Sequence, residues 1–339
     1  MSGERDRAVG ALLGLAVGDA LGMPTQSLSR SAIAERYGVV DRLLDGADDQ
    51  PVAPKLPAGT VTDDTEQALL LARILVEHDG RVPPRVFAAR LEAWEQEMIR
   101  RGSLDLLGPS TRRALTRLAG GEPPERAGRD GTTNGAAMRV APVGIARAGA
   151  GLLDAVVESA VVTHHTAPGI AAAAAVAAAV SAGVSGLGLP AALDASVAAA
   201  RDGARRGGWA AGADVAARLR CAYRTLPGLP PDELTDTVAD VVGTSVTATE
   251  SVVAALGLAA ALGDDPRAAL VTAASLGGDT DTVAAICGAV LGAVHGAAGL
   301  PADLTATVRR MNRQLLDPLD DLVDGLLTLR ARARGVTAR

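Results

Sequence analysis

The sequence predicts an all-α protein, and three features carry that prediction. Apolar residues recur at helical rather than alternating spacing through most of the 339 residues, and no convincing strand pattern interrupts them. The hydrophobic content of 48% comes mainly from Ala, Val and Leu, with Phe87, Tyr37, Tyr223, Trp94 and Trp209 the complete aromatic set. A core of that kind packs small side chains between closely approaching helices. Finally, Gly10, Gly14, Gly18 and Gly22 repeat every fourth residue, and Ala284, Gly288, Gly292 and Gly296 repeat the spacing near the other end. An interior helical glycine costs up to about 1 kcal/mol relative to alanine, so such stripes need a packing reason. Close contact between two helix backbones supplies one.

In chain order, the first helix is predicted over 5–21, where the first glycine stripe lies. Apolar-periodic runs then predict helices over 64–78, 84–101, 110–119, 152–164, 167–182, 191–205, 213–224, 232–243, 252–262 and 266–275. The helix with the second stripe is expected from about Val283, and a final helix over 300–332. Segments 45–62, 120–134, 183–190 and 226–231, rich in Gly and Pro, read as loops. No period of 20–50 residues repeats, which argues against a solenoid. No stretch has the composition of a linker, so residues 1–339 are expected to form one large domain.

Composition excludes several function classes. A net charge of −6 without a basic block argues against a nucleic-acid-binding surface. Cys221 and Cys287 both lie in apolar helical settings and are expected to be buried small hydrophobes, not a disulfide or a thiolate zinc site. That usage, with no signal-peptide layout at the N-terminus, suggests a cytoplasmic protein. The uncharged stretch 167–193 is built from Ala and Gly with Pro168 and Pro190. It is expected to be a buried central helix rather than a membrane span.

The chemistry concentrates in two acidic segments more than two hundred residues apart. One is Thr62-Asp63-Asp64-Thr65; the other is Asp279-Thr280-Asp281-Thr282, preceded by Gly277-Gly278. Together they offer four carboxylates and four hydroxyls, hard oxygen donors suited to Mg²⁺, Mn²⁺ or Ca²⁺. The alternative is that each is a helix cap, since Asp and Thr accept the orphan N–H groups of a first helical turn. A cap needs only one acceptor, however, and the adjacent carboxylates repel each other in a way a cation would relieve. Asp279 and Asp281, two apart, do not share a helical face; a tight loop folding both inward fits them, and the two glycines permit it.

Gly131 to Arg139 forms a small-residue loop whose backbone N–H groups could cradle an anion, although Asn134-Gly135 is also an ordinary turn pair. His164 and His165 close a helix without a third imidazole nearby, so a zinc trio is not expected. His78 and His295 read as helix-end residues. No Gly-x-Ser-x-Gly elbow supports a serine hydrolase.

In order along the chain, Gly14-Leu15-Ala16-Val17-Gly18-Asp19-Ala20-Leu21-Gly22, Thr62-Asp63-Asp64-Thr65, Asn134-Gly135-Ala136-Ala137-Met138-Arg139, Thr163-His164 and Leu276-Gly277-Gly278-Asp279-Thr280-Asp281-Thr282 resemble the ADP-ribosylglycohydrolase family, which includes the dinitrogenase-reductase-activating glycohydrolases. The resemblance implies a single large orthogonal helical bundle with a central cleft and two divalent cations, Mg²⁺ or Mn²⁺. By motif match, Thr62, Asp63, Asp64, Asp279, Asp281 and Thr282 are the expected metal ligands. Asn134, Gly135, Ala136 and Met138 would line the phosphate or distal part of a substrate, and His164 would lie beside the sugar. Asp19 would support the site from behind or cap the turn. The activity implied is metal-dependent hydrolysis of an ADP-ribosyl or related ribosyl linkage, on a small molecule or an ADP-ribosylated protein. Alternatives are a hydrolase of a small nucleoside-like riboside and a non-catalytic ADP-ribose-binding protein. One position departs from the pattern: relatives often have Glu four residues after the Gly-Asp-Ala-Leu-Gly run, where this chain has Gln26. Gln exchanges no proton at neutral pH, so Gln26 would orient a sugar hydroxyl or a water, with Asp63 or Asp281 assisting the acid–base work.

Overall fold

The computed structural model describes residues 3–104 and 107–336. Among these every regular element is a helix, and the only β-type pairings are three isolated bridges. Of the predicted helices, Leu152–His164 and Pro266–Ser275 have the expected bounds, and most others shift by a few residues at their ends.

The two glycine stripes meet. Helix Gly3–Gly22 lies antiparallel against helix Thr280–His295. An added Cβ would fall 2.3 Å from Gly292 O at Gly10, 2.0 Å from Gly288 O at Gly14, and 2.0 Å from Ala284 O at Gly18. At Gly22 it would fall 2.5 Å from Asp281 Cα. The backbones are therefore in direct contact along four turns, a separation that only glycine allows. Because the pair is antiparallel, the C-terminal end of the first helix, with Asp19, meets the N-terminal end of the other, with Asp281.

Around this pair runs a continuous apolar core from Ala8 to Leu329. Helix Ala167–Val184, the uncharged stretch, is buried along its length, as expected of a central helix. Gly3–Thr25 and Ala167–Val184 have the length and apolarity of membrane spans, but 100% and 94% of those windows are buried inside the protein.

Several expectations are corrected. Segment 300–332 is not one helix but Ala302–Met311, Arg313–Leu316 and Leu319–Val336. Asn312 leaves the first of these to bind the loop before the acidic segment: its Oδ1 accepts from Val61 N–H (3.2 Å) and its Nδ2 donates to Gly59 O (2.7 Å). Pro318 then bars a continuous helix. Segment 232–243 is a short α-helix, Pro231–Asp236, running into a π-turn, Thr237–Val242. Helix Arg30–Tyr37, started by Ser29 accepting from Ala32 N–H, is an addition to the predicted set, as are the short helices Pro124–Ala127, Gly135–Met138 and Ala141–Ala146. Cys287 is buried, but Cys221 is exposed, on the outer face of helix Val215–Thr225.

Candidate active site

Two helix N-termini, those of Asp63–Glu77 and Thr280–His295, point into one cleft of about 310 Å³. Its walls include Gln26, Asp63, Gln67, Thr133, Asn134, Gly135, Met138, Asp279, Asp281 and Thr282. Both acidic segments thus converge, and Thr282 Oγ1 donates to Asp64 Oδ2 across the join at 3.2 Å. Positive potential at both helix ends favours carboxylates here.

The capping alternative is settled by Asp19. Neither Thr62 nor Asp279, the N-cap residues, makes a side-chain capping bond. Instead the buried Asp19 carboxylate, from the first helix, accepts from Thr62 N–H (3.1 and 3.0 Å), Thr62 Oγ1 (2.7 Å) and Thr65 N–H (3.1 Å), and from the Thr65 hydroxyl. Burial pushes its carboxyl up to about 6, against the lowering effect of these donors. Asp19 takes the backbone donors of Thr62 and Thr65 at this helix end, a capping role filled from another helix and not by Asp63 or Asp64.

The second segment is shaped by its glycines. Gly277 and Gly278 adopt φ of 77° and 78°, and a Cβ on Gly278 would sit 2.4 Å from Thr244 O. The turn is pinned by Ser27 N–H to Gly278 O (2.7 Å), Gly278 N–H to Leu28 O (2.9 Å) and Asp279 N–H to Thr244 O (2.7 Å). These bonds hold Asp279 and Asp281 at the cleft and bring Gln26 beside them.

The carboxylates strain against one another. Asp64 is raised well above the usual carboxylate range, first by burial and then by Asp63, Asp281, Asp19 and Asp279. Asp279 is also raised by burial, although hydrogen bonds from Asn134 and Thr282 oppose the shift. Asp64 Oδ1 and Gln26 Nε2 are buried without hydrogen-bond partners. Such orphans are costly unless a ligand completes them.

Not every expected residue faces the cleft. Ala136 is buried under its loop, and His164 is wholly buried behind it, with Nε2 2.9 Å from Thr133 Oγ1 and Nδ1 2.8 Å from Thr163 Oγ1. Thr133, between His164 and the cleft, lines the wall instead. Arg139, at the end of that loop, is also buried. It lies 5.0 Å from the Phe87 ring centroid and donates to Gln67 Oε1 (3.1 Å), while Gln67 Nε2 donates to Asp63 Oδ2 (2.8 Å). Gln67 was legible in principle, since i and i+4 share a helix face.

The sequence and the fold have known counterparts. The family model for ADP-ribosylglycohydrolases matches residues 1–335. The chain belongs to the ADP-ribosylglycohydrolase family. The protein YegU of Escherichia coli K12 is 33% identical over 311 residues, covering 89% of this chain and 93% of that protein. The ADP-ribosyl-[dinitrogen reductase] glycohydrolase of Rhodospirillum rubrum is 33% identical over 172 residues, 47% of this chain and 52% of that enzyme. An ADP-ribosylglycohydrolase-related protein complex of known structure superposes with TM-score 0.69 and 27% identity, covering 97% of this chain and 99% of that one.

Among the described residues no three carboxylate, imidazole or thiolate side chains form a ready-made cage. The donor set nevertheless fits: carboxylates and threonine hydroxyls are hard ligands, and buried Asp64 Oδ1 is an orphaned acceptor among mutually repelling charges. A pH signature follows. Carboxyls raised in the folded state hold protons that the unfolded chain has released, so they contribute stability below their ordinary value of 3.8 that is lost as pH rises through the folded value. Metal-free protein is therefore expected to melt at lower temperature as pH rises from about 4 through 6 and above. Added Mg²⁺ competes with those protons and should raise the melting temperature more at pH 8 than at pH 5. Equal shifts at the two pH values, read by thermal denaturation, would remove the carboxylates as the ligands.

Proposed function

We propose that this chain is a metal-dependent N-glycosyl hydrolase acting on an ADP-ribosyl linkage. The observation that carries the reading is the convergence of Asp63, Asp279, Asp281 and Thr282 on one cleft beside an unsatisfied Gln26 amide. Thr62, Asp63, Asp64, Asp279, Asp281 and Thr282 would hold two divalent cations, Mg²⁺ or Mn²⁺. Such ions, when bound, orient ribose hydroxyls and lower the pKa of a coordinated water. The chain's own residues do the rest. Gln26 Nε2 donates to a sugar hydroxyl or an incoming water, Asp63 or Asp281 takes its proton, and Asn134 holds Asp279 in place through its Nδ2.

Relatives support the substrate class: by name, the Rhodospirillum rubrum enzyme is an ADP-ribosyl glycohydrolase. An ADP-ribosylarginine hydrolase of Serratia proteamaculans is 34% identical over 151 residues, 42% of this chain and 37% of that protein. One observation favours a second reading, a small nucleoside-like riboside: none of the described side chains lining the cleft is aromatic, so an adenine ring finds no stacking partner there. The deciding experiment offers ADP-ribosylated protein, O-acetyl-ADP-ribose, ADP-ribose and common nucleosides to the protein with Mg²⁺, Mn²⁺ or chelator. Metal-dependent release of ADP-ribose supports the first reading, and release of a free base from a nucleoside supports the second. Metal-dependent binding of ADP-ribose without turnover of any substrate would make the protein a reader.

Gln26 separates the two enzymatic readings. Gln26→Glu places a proton-exchanging group in the cleft wall where Gln26 now stands. It is expected to raise hydrolysis of ADP-ribosyl substrates on the order of tenfold, below the full range of a well-placed acid–base group. If the natural substrate is a small riboside, the same change removes a hydrogen-bond donor and lowers activity. Identical rates on both classes at saturating metal would place position 26 outside the chemistry.

A further inference from the structure

A groove leads away from the acidic cleft along one face of helix Asp63–Glu77. Asp63, Glu66, Leu70 and Arg73 lie at i, i+3, i+7 and i+10, a spacing that puts them on a single helical face. Asp63 lines the cleft, Glu66 lines an adjoining pocket of about 320 Å³, and Leu70 and Arg73 line a further pocket of about 700 Å³. Neighbouring pockets share walls: Val52, Asp63 and Leu104 belong to the first two, and Val61, Glu66 and Met98 to the last two. The opposite wall is one face of helix Pro84–Arg100, carrying Trp94, Glu97 and Met98. The third side is the interruption at Asn312, flanked by Met311 and Arg313. From Asp63 to Arg73 the helix rises about 15 Å.

Charge changes sign along the groove. At the cleft, Asp63, Asp279 and Asp281 stand against Arg112. At the far end Arg73, Arg101 and Arg313 outnumber Glu66 and Glu97, in a chain whose net charge is −6. Both glutamates are already engaged. Trp94 Nε1 donates to Glu66 Oε2 at 2.6 Å, and Arg101 Nη1 lies 3.5 Å from Glu66 Oε1. Arg101 Nε lies 2.8 Å from Glu97 Oε1, with Arg100 on the other oxygen. Arg73 and Arg313, by contrast, close no salt bridge among the described residues. Between the two ends the lining is apolar, with Val52, Leu56 and Met98. Leu104 near the cleft and Met311 at the far end are 59% and 44% exposed. Large apolar side chains held open among polar groups mark a surface that another molecule covers. Each side pocket is at least as large as the cleft itself, so the groove has room for more than a sugar and its leaving atom.

We propose that this groove seats the polypeptide that carries the linkage, as an extended segment with an acidic residue held by Arg73 and Arg313. An extended chain advances about 3.3 Å per residue, so a rise of about 15 Å puts that acidic residue about four or five positions from the modified one. An apolar residue between them lies against Met98 and Leu104. The inference rests on the ADP-ribosyl reading and deepens it: the substrate is a modified protein, chosen in part by the sequence around its modification. A small ADP-ribosyl compound leaves the groove empty.

The test uses synthetic peptides carrying ADP-ribosyl-arginine, with aspartate, alanine or lysine at the fourth and fifth positions on either side. Hydrolysis with Mg²⁺ is read as kcat/KM for each peptide relative to free ADP-ribosylarginine. Wild type is expected to favour the aspartate peptide over the lysine peptide on the order of tenfold, the lower range for a hydrogen bond to a charged group. The difference should lie in KM, because the contact is the same in ground and transition states, and it should shrink as salt is added. Arg73→Gln/Arg313→Gln should bring the two peptides within about twofold of each other, and Arg73→Glu/Arg313→Glu should reverse the preference. Arg313 is exposed, so Arg313→Gln alone keeps the test open should a double variant fail to fold. Wild type that treats the three peptides alike overturns the groove. A full aspartate preference kept by Arg73→Gln/Arg313→Gln, or an equal loss on the peptides and on free ADP-ribosylarginine, overturns the role of the arginine pair. No release of ADP-ribose from any of these substrates overturns the functional reading and this inference together, whereas release from free ADP-ribosylarginine without a preference among the peptides overturns this inference alone.

Discussion

Replacing Asp63 with alanine is expected to abolish turnover, a loss on the order of a thousandfold, the scale set when a site loses a group that stabilises developing charge. The helical circular dichroism should not change. Asp63 sits half-buried in the first turn of its helix, but the capping of that turn belongs to Asp19. What the fold loses includes one acceptor for Gln67 Nε2, worth about 1 kcal/mol, and a negative charge that favours buried Arg139. What it gains is relief of the repulsion that Asp63 exerts on buried Asp64. Metal-free Asp63→Ala should therefore melt close to wild type while its Mg²⁺-induced shift disappears. Asp19→Ala makes the contrast, because it strips four donors at one helix end of their partner and should fall in stability before any question of rate arises. Retention of even a tenth of wild-type turnover by Asp63→Ala would remove this carboxylate from the chemistry.

The elements that sequence made legible are those in which a local pattern and its physical cause coincide. The glycine stripes carried their own explanation, and the Gly277-Gly278 turn could be read because positive φ at both positions is cheap only for glycine. Helix Ala302–Met311 was overrun because its end is set by Asn312 reaching a loop some 250 residues earlier, a contact no local pattern encodes. The acidic segments were recognisable by composition, yet the reason they are free of capping duty is Asp19, which comes from another helix. Cys221 and His164 show what local pattern leaves open: an apolar neighbourhood in sequence is a helix's exposed face at Cys221, and His164 is wholly buried, with its Nε2 against Thr133. Burial of that kind depends on which side of a helix meets which neighbour, and tertiary packing decides it.

Gly18→Ala is expected to damage both stability and activity, and the two effects have a common origin. The added methyl would fall 2.0 Å from Ala284 O and 2.3 Å from Ala284 C, atoms of a backbone that cannot rotate out of the way as a side chain would. The helices must separate, and overpacking a core in this way costs about 1–3 kcal/mol, here at the upper end or beyond. Thermal denaturation should show a fall of several degrees. The same separation moves Asp19 and Gly22 away from Asp281, because those residues face one another at the end of the same helix pair. Misplacement by about 1 Å is enough to cost roughly a hundredfold in rate, so the folded fraction of Gly18→Ala should also turn over slowly. Gly10→Ala provides the comparison: its methyl would meet Gly292 O at 2.3 Å, at the far end of the pair, two turns further from the cleft. It should lose stability but keep wild-type turnover per folded molecule. If Gly18→Ala melts at the wild-type temperature, the two helices do not touch as described. If both variants lose stability and neither loses turnover, the helix contact stands but does not set the geometry of the acidic cleft.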